Sequence, residues 1–365
     1  MASLRIIHIA PELPPAVGGV ADYTAILSHR LTEISGGDLE PVFVHAGKAP
    51  VETIDVNAPV VDQSGQQSAT GLADAVQQFA DGAESRAVVL LEYSGYGYAT
   101  RGAPLWLARG LSRVCGGDGV PLVTMIHEIR ASNWKPWTSA FWVSPVQSYV
   151  AARIARLSRA LVTNRFPSTE WVRSRVGEDT PVLTQPVFSN VGEPDRMTPF
   201  GEREPYAVVF GGTGMKKQLY EELASLDTEV LTQFGVNRIV DLGAVPNETL
   251  EEMSVETYGI QPATTVGEHL RCARIGLLYY PVDYLTKSGI WSSYAAHGLP
   301  SVVVTGPGST ETLEEGTHYI RLNGEGELFG GKCLVDVGRA AWTWYQSKAH
   351  SSEAARTIRS VLRAT

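Results

Sequence analysis

Short, wholly apolar runs alternate along the chain with longer segments in which apolar residues recur every three to four positions. That alternation predicts buried parallel strands joined by amphipathic helices. In the first half the apolar runs lie at 4–9, 41–44, 87–91, 121–126 and 160–163, and the helical spacing at 21–34, 71–79, 105–114 and 145–158. The periodicity stops after Pro186, where Pro194, Pro199 and Pro205 punctuate a polar stretch that reads as a linker over 187–205. A second series follows, with strands at 206–210, 238–242, 275–278 and 301–304 and closing helices at 337–347 and 352–362. The expected fold class is α/β, doubly wound, with domains at 1–186 and 206–340 and a C-terminal helical segment at 341–365.

Ligands of open α/β sheets sit beyond the carboxyl ends of the strands, so the loops that follow strands carry the candidate chemistry. The most informative is Lys287-Ser288-Gly289, between the strand at 275–278 and the helical spacing of Ile290, Trp291, Tyr294 and Ala295. Ser288 is placed to cap that helix and Gly298 to stop it, so Lys287 and the first helical amides point at one spot that suits a phosphate. The absence of a side chain at Gly289 permits close approach. A second glycine pair, Gly18-Gly19, precedes a helix that carries Asp22 in its first turn. It lacks the G-x-G-x-x-G spacing of a nicotinamide dinucleotide site. Gly211-Gly212 opens the second series and is followed by Lys216 and Lys217, without the spacing of a nucleoside-triphosphatase loop; one of these lysines is expected to be a solvated helix charge. His127-Glu128 ends a middle strand, where a histidine can accept a substrate proton or belong to a structural hydrogen-bonded pair.

Composition narrows the classes. With 365 residues, 44% hydrophobic, the chain is long enough for two cores and lacks the signature of disorder. Its net charge is −9, yet residues 101–175 carry a net +8, a basic segment that suits phosphates or an anionic membrane; no nucleic-acid module accompanies it. Within it lie Trp134, Trp137 and Trp142, three of eight tryptophans, which fit a sugar-stacking wall, a weak peripheral membrane contact or simple packing beneath a loop. Cys115, Cys272 and Cys333 have neither metal-ligand nor redox spacing. With no signal-like start and no apolar run near the ~20 residues that span a bilayer, a cytoplasmic protein is expected, with the inner membrane face as one location.

Together, Gly18-Gly19-Val20-Ala21-Asp22, His127-Glu128, Gly211-Gly212 and the block from Tyr280-Pro281 to His297-Gly298-Leu299-Pro300 occur in an order that resembles the retaining GT-B glycosyltransferases, family 4-like and of bacterial type. The run Tyr93-Ser94-Gly95-Tyr96-Gly97-Tyr98 with Arg101-Gly102-Ala103-Pro104 is similar to bacterial members. The resemblance implies two Rossmann-like domains facing a cleft, the acceptor held mainly by the first, a nucleoside diphosphate sugar by the second, and the last helix crossing back to the first. It implies that Gly18 and Gly19 approach the diphosphate or acceptor, that His127 lies near the transferred sugar, that a lysine after Gly211-Gly212 neutralises the diphosphate, and that Ser288 and Gly289 donate amides to it. It implies no metal and no other cofactor. If the reaction inverts, His127, Glu128 and Asp22 are the candidate bases. Two glutamates common in the family fall at Leu285 and Ser293 here, counting back from Gly298, with Asp283 the nearest substitute. That departure keeps a second reading open, a non-catalytic sugar-nucleotide-binding or scaffold protein. A GT-B epimerase is disfavoured because no acidic cluster is present to perform its proton transfers.

Overall fold

The computed structural model describes residues 4–16, 18–83, 86–130, 139–225, 229–244, 254–304, 308–322 and 333–364. The chain forms two compact units, residues 1–186 with 351–365, and residues 187–350.

The N-terminal unit contains, in order, β1 (Leu4–Ala10), α1 (Gly19–Ser35), β2 (Leu39–His45), β3 (Val60–Asp62), α2 (Ala69–Asp81), β4 (Arg86–Ser94), α3 (Gly95–Tyr98), α4 (Leu105–Val114), β5 (Leu122–Glu128), α5 (Ser139–Leu157), β6 (Ala160–Thr163), α6 (Phe166–Arg173) and β7 (Val182–Thr184). Its parallel sheet has the order β3-β2-β1-β4-β5-β6-β7. The order reverses between β1 and β4, and a doubly wound sheet opens a crevice at such a reversal, above the carboxyl ends of those strands. One face buries Ile7, Ile9, Val89, Leu91, Leu122 and Ile126 beneath α2, α4 and α5. Helices α2 and α4 pack closely because Gly110 has no side chain: a Cβ there would lie 2.9 Å from both the Ala69 carbonyl and Leu72 Cδ2.

The C-terminal unit contains β8 (Glu204–Phe210), α7 (Thr213–Ala224), α8 (Glu229–Thr232), β9 (Arg238–Leu242), β10 (Val255–Thr257), α9 (Ala263–Cys272), β11 (Ala273–Tyr279), α10 (Gly289–Ala296), β12 (Ser301–Val304), β13 (Ile320–Leu322) and α11 (Leu334–Lys348). Its parallel sheet, β10-β9-β8-β11-β12-β13, reverses between β8 and β11. Arg203 anchors this unit from the entrance to β8. It is buried, without a carboxylate partner among the described residues; its guanidinium donates to the carbonyls of Leu270, Ala273, His297 and Gly298, at 2.8–3.2 Å. These carbonyls close α9 and α10, where the helix dipole favours a cation. Burial lowers the Arg203 pKa to about 10.

The final helix, α12 (Ser351–Ala364), belongs to the N-terminal unit. It buries Ala354, Ala355, Ile358, Val361 and Leu362, one face at helical spacing, and packs beside α1, where Arg359 donates to the Ile34 carbonyl at 2.7 Å. Of the segment 341–365, the part up to His350 therefore lies in the C-terminal unit and the remainder in the N-terminal one.

Candidate functional site

In the N-terminal unit the candidate side chains gather at the carboxyl ends of β4 and β5. Strand β5 runs on through His127 and Glu128, two residues beyond the expected end. Successive strand residues face opposite sides of a sheet, so these neighbours do not act on the same point. The acid that meets His127 is Glu92 of β4: His127 Nε2 and Glu92 Oε2 lie 2.7 Å apart. Glu92 is 0% exposed, and its second oxygen has no hydrogen-bond partner among the described residues. The Tyr23 ring packs edge-on against the imidazole, with centroids 4.9 Å apart. Burial, reinforced by the Glu92 charge, pushes the Tyr23 phenol well above its usual pKa. Glu128 lies on the other side, near Tyr93, whose phenol burial raises first and the Glu128 charge second.

At the end of β1, Gly18 is the extended residue before α1, and no side chain caps that helix. A Cβ at Gly18 would sit 2.7 Å from Glu12 Oε2, while one at Gly19 would meet nothing within 4 Å. The start of α1 thus has open space at Gly19 and a carboxylate of the chain itself beside Gly18. Asp22 is half-buried in its first turn. Trp134 and Trp137 lie outside the described residues. Trp142 is on α5, where it is 71% exposed and shares a helix face with exposed Val146 and Tyr149.

In the C-terminal unit three turns converge. Gly211 has φ +123°, and a Cβ there would lie 2.5 Å from Ile290 Cδ1, which brings the loop after β8 against the second residue of α10. Gly243, after β9, has φ +101°, and a Cβ there would approach the Gly211 carbonyl at 3.2 Å and Lys216 Nζ at 3.3 Å. Both conformations suit glycine. Gly212 is the uncapped residue before α7. Ser288 caps α10, its Oγ accepting from the Trp291 amide at 3.2 Å, and a Cβ at Gly289 would meet nothing within 4 Å. Lys287 is half-buried beside the Tyr284 ring, 5.9 Å from its centroid, at the end of a 3-10 turn, Val282–Lys287, that replaces the expected loop.

The two lysines after Gly212 differ sharply. Lys216 is 2% exposed and donates to Asp241 Oδ1, to the Leu242 carbonyl at 2.6 Å and to the Ala244 carbonyl at 3.2 Å, which uses all three of its hydrogens inside the fold. Tyr220 donates to the other Asp241 oxygen. Lys217 is half-exposed and sits 3.8 Å from Glu221, one turn on, so it is the solvated helix charge. Asp283 is exposed. Leu285 and Ser293, where the family that the sequence resembles carries glutamates, are both 0% exposed; Ser293 Oγ donates to the Gly289 carbonyl at 2.7 Å. Those two positions face the interior, so the apolar and hydroxyl residues found there suit their surroundings.

Sequence reasoning missed Glu92, Tyr23, Asp241 and Gly243. A signal existed for the acids: Glu92 and Asp241 are each a lone carboxylate at the end of an apolar strand run, and buried acids need partners. Among the described residues no group of three or more His, Cys, Asp and Glu side chains is placed to hold a metal ion, and no helix is long and apolar enough to cross a membrane.

No family model and no curated protein matches the sequence. Solved structures do match the fold. The Anabaena protein HepE, in complex with UDP and glucose, aligns at a TM-score of 0.63 and 12% identity over 99% of this chain and 100% of that one. A glycosyltransferase from Rickettsia africae aligns at 0.64 and 9% identity over 100% of both chains. The UDP-forming α,α-trehalose-phosphate synthase of Burkholderia xenovorans, in complex with glucose-6-phosphate, aligns at 0.60 and 11% identity over 99% and 100%. Two parallel doubly wound domains, matched over whole chains by such enzymes, identify the architecture of this protein as the GT-B glycosyltransferase fold.

Proposed function

We propose that the protein is a glycosyltransferase that moves a sugar from a nucleoside diphosphate sugar to a glycan, lipid-linked or small-molecule acceptor, with retention and without a metal. The observation that carries this reading is the Gly211 turn set against the start of α10, with the Gly243 turn beside Gly211 and open space at Gly289, in a fold whose solved examples include complexes with UDP and UDP-glucose. The amides that begin α10, with Lys287 beside them, are the groups to receive the diphosphate. They favour the charge that develops on it as the anomeric bond breaks, the work a cation does elsewhere.

In the retaining reaction the bond from C1 to the diphosphate oxygen breaks and its electron pair stays on that oxygen. The acceptor oxygen bonds to C1 from the same face, and its proton passes to the departing phosphate. No separate base is required. On this reading His127 meets a hydroxyl of the reacting sugar or acceptor, and the start of α1, with Glu12 beside Gly18, suits a neutral hydroxyl better than a second phosphate. A lipid-linked acceptor is supported by the exposed Trp142, Val146 and Tyr149 face of α5, in a stretch with six basic residues and no acid between Glu128 and Glu170.

Liberation of nucleoside diphosphate from a panel of UDP- and GDP-sugars, with and without acceptors, tests the proposal. Acceptor-dependent release is the expected outcome. Leu285 and Ser293 favour the second reading, a binding protein without turnover, which predicts that a nucleotide sugar binds and stays intact with every acceptor.

A further inference from the structure

Glu92 is costly to the fold. A carboxylate taken fully out of water loses several kcal/mol of hydration unless partners replace it. Here one oxygen meets His127 Nε2 at 2.7 Å and the other meets no described group. The hydroxyl of Tyr98, close by, directs its one hydrogen to the backbone carbonyls of Glu92 and Ile9, at 2.9 and 3.1 Å, not to the carboxylate. Hydrophobic residues flank Glu92 along β4, and on the adjacent strand β1 His8 is buried with both ring nitrogens unpartnered among the described residues. Burial of polar groups in this unit is therefore not resolved by pairing every histidine with an acid. His127 receives one, as does His45, whose Nδ1 lies 3.0 Å from Asp62 Oδ1.

The pairing has a chemical consequence. An ionised carboxylate only accepts hydrogen bonds, so beside one the shared proton lies on Nε2, and a neutral ring then has none on Nδ1. Nδ1 has no hydrogen-bond partner among the described residues, and His127 retains 9% exposure. The Tyr23 ring, edge-on to the imidazole, restricts its rotation. We propose that Glu92 is a positioning residue: it fixes His127 in the Nε2–H tautomer so that Nδ1 stands as a bare acceptor for a sugar hydroxyl. This rests on the transferase reading for the identity of the hydroxyl, but not for the tautomer.

Two measurements test it. In full-length protein labelled with ¹⁵N-histidine, at mildly alkaline pH and with His127 assigned by its loss in His127→Gln, long-range nitrogen–proton spectra should show the proton on Nε2 and a bare Nδ1. In Glu92→Leu that preference should vanish, and in Glu92→Gln, whose amide oxygen still accepts from Nε2–H, it should survive. A proton on Nδ1 in the wild type, or an unchanged tautomer in Glu92→Leu, overturns the proposal. Steady-state transfer then reads the effect: Glu92→Leu should lower kcat at least tenfold, Glu92→Gln should retain at least a third of it, and nucleoside diphosphate affinity should stay within twofold. Placed on His127→Ala, Glu92→Leu should cost no more than twofold further. Equal and additive losses for both Glu92 variants would make Glu92 a purely structural group. If no donor and acceptor pair is turned over, the transferase reading fails, and the nitrogen spectra alone decide the tautomer.

Discussion

Each unit places one buried carboxylate near the carboxyl end of a strand in its sheet, and the two serve different ends. Asp241 in the C-terminal unit binds Lys216 and Tyr220, and Lys216 spends its other hydrogens on the Leu242 and Ala244 carbonyls. Nothing of that cluster is left over for a ligand. Glu92 in the N-terminal unit holds only one nitrogen of His127, and the other has no partner among the described residues. The difference teaches that burial and ion pairing do not by themselves mark a working group; what distinguishes the two is whether the pair retains an unused atom. It also shifts the expected phosphate contact away from Lys216 and towards Lys287 and the start of α10.

The strongest way to break this contrast is Lys216→Met. If Lys216 is a structural post, leaving Asp241 buried and uncompensated should destabilise the C-terminal unit by about 3–5 kcal/mol in a denaturant titration. Unchanged stability with lost nucleotide binding would move Lys216 into the site.

Acid sharpens the comparison because each unit also contains a histidine whose pKa burial strongly lowers. Burial lowers the pKa of His8 to about 3 and, as the first of several causes, that of His297 to about 4. Both lie below the unfolded value of about 6.5, so their stabilising effect is complete above that pH and is lost as pH falls from it towards the folded values. Each should cost about 1.4 kcal/mol per pH unit, roughly 2 kcal/mol at pH 5. His8→Leu should flatten the acid limb of the N-terminal unit and leave that of the C-terminal unit in place. An unaltered profile in His8→Leu would contradict its burial as a neutral ring.

His127→Ala probes the unused atom. It should reduce turnover at least tenfold, about 1.4 kcal/mol at the barrier, with nucleoside diphosphate affinity nearly intact. Loss of affinity in proportion, or loss of folding, would place it with the structural pairs. The weakest expected effect is at the α5 face. Anionic vesicles should retain the protein at low salt and release it at high salt, at about 1 kcal/mol per well-placed basic residue, and Trp142→Ala with Tyr149→Ala should weaken that retention. Equal binding to neutral and anionic vesicles would favour a soluble acceptor.

The central strands were legible because both their faces are buried, so their apolar runs are unbroken. The edge strands β3, β7, β10 and β13 have three residues each and leave no such pattern. Ser288 was readable as a cap and Gly298, with φ +59°, as a stop, since both rest on local backbone geometry. The pairing of Glu92 with His127 spans 35 residues and depends on β4 lying beside β5 in a given register, which sequence proximity masked by offering Glu128 instead. The same held for Lys216, whose place beside two glycines suggested a ligand before Asp241, 25 residues on, was known to face it.

Isothermal titration of the wild type, Lys287→Ala and Lys217→Ala with UDP and with GDP, in buffer containing a strong chelator, tests the central claim most directly. The account predicts that at least one of these nucleoside diphosphates binds the wild type and Lys217→Ala with equal affinity and binds Lys287→Ala at least tenfold more weakly, about 1.4 kcal/mol. Binding that requires an added divalent cation, that persists unchanged in Lys287→Ala, or that is absent for both nucleotides would contradict it.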